Sequence, residues 1–112
     1  MTRFEQLLSR EGQNVTWLKR QEGSADPQTG DRAVTWTTES IKAVVQAVSN
    51  SEIIVEAGYT SEDYIRIFVT ADIQHKDKIT YQNREYEILP PESILFRGAL
   101  EHRTALCRRL IN

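Results

Sequence analysis

The sequence is poor in cysteine, in long apolar runs, in excess charge of either sign and in recognisable catalytic spacings. Its one cysteine, Cys107, closes no internal disulfide. Packing and hydrogen bonds must therefore hold the fold, and the composition fits a reducing compartment. No apolar run exceeds a few residues, so neither a membrane span nor a signal-peptide core is expected. Lys and Arg number 14 against 16 Asp and Glu, a net charge of -2. A dedicated nucleic-acid binder would show a basic excess. His75 and His102 have no companion at metal-ligand spacing, so no zinc site is expected. No glycine-rich loop follows a strand and opens a helix, which removes the phosphate-cradle reading. Cys107 lies between Leu106 and Leu110 with no base partner in view, and reads as a small core residue. Asp26, Asp31 and Glu39 could pair in space, but acidic loop residues are common, and no glycosidase-type or metal-binding pair is expected of them. No catalytic residue, metal or cofactor is assigned, and the chain reads as a non-enzyme.

What is present is β chemistry. Asp77–Leu89, DKITYQNREYEIL, carries two runs of β-branched and aromatic residues around Gln82-Asn83. Asn tolerates the left-handed conformation of a two-residue hairpin turn. With Gln82 and Asn83 in the turn, Ile79 faces Tyr86 and Asp77 faces Ile88. On the other side Thr80 faces Glu85, and Lys78 faces Glu87 as an opposite-charge pair. One face is apolar and one solvated, and Pro90-Pro91 ends the ladder.

At 112 residues with 39% apolar content, the chain is long enough for one core and one domain. Thr2-Arg3-Phe4-Glu5 reads as a capping box for a helix over about 2–11, with Phe4, Leu7 and Leu8 on one face and Gly12 placed to end it. So short a helix must dock on something. Val15–Lys19 reads as a strand. Glu22–Asp31, EGSADPQTGD, reads as one long polar loop without an apolar anchor, locally acidic through Glu22, Asp26 and Asp31. Its default role is a solvent-exposed connection; its functional reading is a binding or plugging loop. Ala33–Thr38 and Ile41–Val48 follow as strands. Ser49–Ser51 reads as a turn and Ile53–Ala57 as a further strand, and Tyr64–Val69 alternates cleanly. Trp17 and Trp36 are expected as core or interface anchors. In the tail, Ala99, Leu100, Arg103, Leu106, Cys107, Leu110 and Ile111 fit helical spacing, yet a strand over Glu101–Arg108 fits as well. Arg97, Arg103, Arg108 and Arg109 form the only basic cluster, either a solvated face or a contact for an acidic partner.

The order of these features resembles the head-tail joining (head-closure, or stopper) proteins of tailed bacteriophages. The resemblance rests on Asp26-Pro27-Gln28-Thr29-Gly30 leading into a strand with Thr35-Trp36, then a Val/Ala-rich strand. Tyr64–Val69 follows, and then the hairpin spacing of Asp77, Ile79, Tyr81, Tyr86 and Ile88. It covers roughly residues 14–110. Asn83 stands where the family usually has Gly, and the N-terminal helix lies outside the pattern. The resemblance implies a mainly β fold, a small antiparallel β-barrel with one long early loop, to which the capping box adds a short N-terminal helix. It further implies a virion protein that assembles as a homo-oligomeric ring between portal or adaptor and tail proteins, with a monomer as one expected form of the chain alone. Double-stranded DNA would pass through the ring without sequence-specific binding. Residues Glu22, Asp26, Gly30 and Asp31 would face the channel, and Arg97, Arg103, Arg108 and Arg109 would meet a partner. Rival readings are a tail-terminator or other neck protein, an OB-like nucleic-acid module and a small hydrolase.

Overall fold

The computed structural model describes residues 3–25, 27–48 and 58–110, with Phe96 as backbone only. Helix α1 (Arg3–Glu11) precedes β1 (Gln13–Ala25) and β2 (Arg32–Ala47); a 3-10 turn at Ser61–Asp63 leads to β3 (Tyr64–Val69), β4 (Lys78–Tyr81), β5 (Arg84–Ile88), β6 (Glu92–Phe96) and β7 (Ala99–Arg109). The strand order is β3-β2-β1-β4-β5-β7-β6, and β3 also pairs with β7. Six strands thus close on themselves as a small antiparallel barrel, and β6 lies outside the closure on the free part of β7.

Alternation explains the interior. Val15 and Trp17 of β1, Ala43 of β2, Ile65, Ile67 and Val69 of β3, Ile79 of β4, Tyr86 and Ile88 of β5, and Ala105 and Cys107 of β7 point into one core, with Ile73 packed among them. Successive side chains of a strand face opposite sides, so the intervening positions are free to be polar. Cys107 lies opposite Ile65 on one side and Ile88 on the other. Burial pushes its thiol up from an ordinary 9.0 to about 12.

The Asp77–Leu89 hairpin forms in the expected register, with Lys78 opposite Glu87, Ile79 opposite Tyr86 and Thr80 opposite Glu85. Gln82 and Asn83 both take positive φ, 50° and 62°, as a right-twisted two-residue hairpin turn requires. The charge pairing differs from the sequence expectation. Lys78 Nζ reaches the diagonal Glu85 at 3.3 Å, while Glu87 is held by Arg108 at 3.0 Å. Strand β7 supplies that third partner, which a local hairpin cannot foresee.

The tail is a strand, and its neighbours decide the matter. One edge of β7 pairs with β3 over Arg103–Arg108, while the other takes β5 and then β6. Pro90 and Pro91 interrupt β5 from β6, yet both run along the same edge. Ala33–Thr38 and Ile41–Val48 belong largely to one continuous strand, β2, rather than two. The expected turn at Ser49–Ser51 and strand at Ile53–Ala57 lie outside the described residues, as does Thr2 of the capping box. Helix α1 ends at Gly12, whose N–H donates to the Leu8 carbonyl at 2.8 Å; a Cβ there would meet that oxygen at 2.2 Å. The helix docks through Phe4, which stacks on His102 of β7 with ring centroids 4.2 Å apart.

Two outcomes check this description. Gln82→Gly should raise the thermal midpoint and Asn83→Val should cost about 1–2 kcal/mol, because only the first relieves a left-handed side chain. Cys107 should resist thiol reagents in the native protein at pH 8 and react fully in denaturant. The unfolded chain ionises this thiol at lower pH than the folded chain does. Its contribution to stability is therefore present below the ordinary value and lost as pH rises toward about 12.

Candidate functional site

The molecule measures 51 × 34 × 27 Å, elongated because β1 and β2 outrun the barrel. On its outer side β1 pairs with β4 only over Thr16–Leu18, and β2 pairs with β3 only over Val44–Ala47. Beyond those limits the two strands pair with each other alone, from Lys19 opposite Thr37 out to Ala25 opposite Arg32, with a bulge between Glu22 and Ala25. Every described residue from Gln21 to Ser40 is exposed. The result is a free-standing two-stranded arm. Its turn is shorter than the loop expected over Glu22–Asp31, because residues 22–25 continue β1. The small polar side chains that read as loop are tolerated in a ladder whose two faces are both in solvent.

Arm and barrel part at two side-chain devices. Asp77 is 3% exposed, and its carboxyl gathers three donors. Oδ2 accepts from the Trp17 indole N–H at 2.9 Å and the Gln74 backbone N–H at 3.0 Å, and Oδ1 accepts from the Arg20 backbone N–H at 3.0 Å. The chain turns at Lys76, φ 75°, and so leaves β1 without a strand beside Arg20. Asp77 supplies the missing acceptor. On the far side Arg103 Nη1 donates to the Thr70 and Ala71 carbonyls at 3.2 and 3.3 Å. That grip draws the chain off the β2 edge after Val69 and leads it to Ile73 in the core.

Of the residues expected to face the channel, Glu22, Gly30 and Asp31 fall at the distal part of the arm. Glu22 sits in β1 with Arg20 Nη1 2.6 Å from its carboxyl and Arg32 at 3.8 Å. The Arg20 hydrogen bond, with that residue's charge, holds the Glu22 carboxyl below the usual range. Gly30 has φ 77°, and the Asp31 N–H donates to the Thr29 hydroxyl at 3.3 Å. Asp26 lies outside the described residues.

The basic cluster is dispersed. Arg97 and Gly98, both with positive φ, make the β6–β7 turn. Arg103 is bound to the Thr70–Ala71 segment and lies 3.5 Å from Asp72. Arg108 pairs with Glu87 and lies over the Tyr59 ring, its guanidinium carbon 5.0 Å from the centroid. Arg109 is 3.8 Å from Asp63. Strand alternation places Arg103 and Arg109 at opposite ends of one side of β7 and turns Arg108 to the other. Closeness in sequence thus overstated closeness in space.

The exposed large apolar residues mark surfaces that charge reading missed. They are Val34 and Trp36 on the arm, and Leu95 and Leu100, which pair across β6 and β7. Trp36 is covered in part by Lys78, whose Nζ is 4.5 Å from the ring centroid. The position of Asp77 on the same hairpin face as Ile79, Tyr86 and Ile88 was the available clue to its burial. An acid on an apolar face needs donors.

No family model matches the chain, and no curated protein matches it. Among solved structures it is similar to the solution structure of a protein from Shigella flexneri 2a. The two are 23% identical, with 86% of this chain and 89% of that chain covered and a TM-score of 0.60. At that identity the likeness shows a shared fold.

Asp77→Ala should lower stability by about 2–4 kcal/mol in urea unfolding, since three donors lose their acceptor. Asp72→Ala, whose side chain is 71% exposed, should change it by no more than about 1 kcal/mol. Equal losses would deny Asp77 its structural role.

Proposed function

We propose that this chain is a non-enzymatic ring subunit of the head-tail connector of a tailed bacteriophage, closing the DNA exit channel after packaging and docking the tail. The observation that carries this reading is the arm. A two-stranded hairpin exposed on both faces is marginal in water and gains stability when neighbours cover it. A ring subunit has such neighbours. Its head-to-tail contacts join two different surfaces of one chain, and the arm with Val34 and Trp36 and the β6–β7 hairpin with Leu95 and Leu100 are two such surfaces. The motif order over residues 14–110 supports the same reading. At the arm's distal part Glu22 is balanced by Arg20 and Arg32, while Asp31, with Asp26 before it in sequence, would repel phosphates, which suits a conduit better than a binding groove.

The OB-like reading has one observation in its favour, an exposed Trp36 beside Lys78 on a closed barrel. Steeply salt-dependent binding of single-stranded DNA would decide for it.

The connector reading is tested by replacing residues 22–31 with a short Gly-Ser link. The arm tip contributes nothing to the core, so the variant should stay folded with a similar thermal midpoint. It should join the connector yet fail to retain DNA in filled capsids before tails are added. Capsids that hold their DNA as well as those with the full-length chain would reduce the arm to an ordinary connection.

A further inference from the structure

The outer edge of β2 is open from Arg32 to Ala43 among the described residues, because β3 first meets β2 at Val44. Open edges are ordinarily blunted by charge, proline, bulges or brevity. Here Ala33–Thr38, AVTWTT, has no charge, no proline and no glycine, and its β-branched residues suit a ladder. The bulge of the arm falls on β1, between Glu22 and Ala25, and leaves β2 regular.

We propose that a second copy of this chain covers the edge, the two β2 strands pairing antiparallel about a two-fold axis at Trp36. Such an axis stands perpendicular to the joined sheet and keeps each face on its own side, so residues of like parity oppose one another. Centred on Trp36, Thr35 meets Thr37 of the other copy, Val34 meets Thr38, Ala33 meets Glu39 and Arg32 meets Ser40. No like charges oppose. Moving the centre one residue to Thr35 sets Asp31 against Glu39, and moving it to Thr37 sets Arg32 against Lys42. The two Trp36 rings meet at the axis as a cross-strand aromatic pair, joining both Val34 side chains in one apolar strip. This dimer goes beyond the connector reading and departs from the monomer expected of the chain alone: ring neighbours meet head to tail, so the two-fold pair belongs to the free protein.

Sedimentation velocity of the full chain over a concentration series tests the contact. The wild-type chain should run as a dimer that dissociates on dilution. Trp36→Glu sets two carboxylates on the axis and should weaken association roughly a hundredfold or more. Trp36 is already 37% exposed, so the fold should survive, which circular dichroism checks. Under mild oxidation Trp36→Cys should form a covalent dimer, while Ser93→Cys on β6 stays monomeric; Cys107 is buried and silent. A wild-type monomer at every concentration, a dimer untouched by Trp36→Glu, or equal cross-linking at positions 36 and 93 would overturn the proposal. Each of these would leave the connector reading to its own capsid assay.

Discussion

A single buried carboxyl sets where the barrel stops and the arm begins. Asp77 accepts from the Trp17 indole, the Arg20 backbone and the Gln74 backbone, all at about hydrogen-bonding distance. Each donor belongs to a different demand. Trp17 needs a partner for its buried N–H, and Arg20 has lost its neighbouring strand. Gln74 lies in the segment that carries Ile73 into the core. An apolar residue at this position would leave three donors without their acceptor. The carboxyl therefore joins β1 to the β3–β4 connection without any ladder between them.

Barrel closure and arm exposure are two answers to one difficulty. Strands β3, β4, β5 and β7 are each paired on both edges, so among the described residues the barrel closes on itself. Strands β1 and β2 are longer than their barrel neighbours and carry their mutual pairing into solvent. The extension has no core of its own, and its side chains are small, polar or, at Val34 and Trp36, apolar and partly exposed. That combination fits a surface whose packing is completed by another molecule. Helix α1 shows the opposite case, an apolar side chain satisfied within the chain, since Phe4 stacks on His102, whose ring in turn meets Phe68.

The dispersal of the arginines changes what they do. Arg103 and Arg108 bind backbone carbonyls and a carboxylate of their own chain, and hold the β3–β4 connection and β5 in place. Their charge is largely spent within the fold. In the proposed assembly, recognition of partners would then fall to the exposed apolar positions and to the β2 edge that is open among the described residues.

Local chemistry by itself determined the Asp77–Leu89 hairpin, its register and its turn, because Gln82-Asn83 and alternating apolar residues leave one low-energy arrangement within a few residues. It also determined the helix end at Gly12 and the alternation of β3. The tertiary structure decided the rest. Ala99–Arg109 fits both periods in sequence, and only the unpaired edges of β3 and β5 on its two sides make it a strand. Residues 22–25 read as loop because nothing in their composition asks for a ladder; their pairing is imposed by β2 opposite. The burial of Asp77 and the scattering of Arg97, Arg103, Arg108 and Arg109 likewise depend on partners some 20 to 60 positions away in some cases, such as Trp17 for Asp77. Hydrogen bonds and ion pairs of that range are set by which strands lie side by side, and no local pattern encodes that.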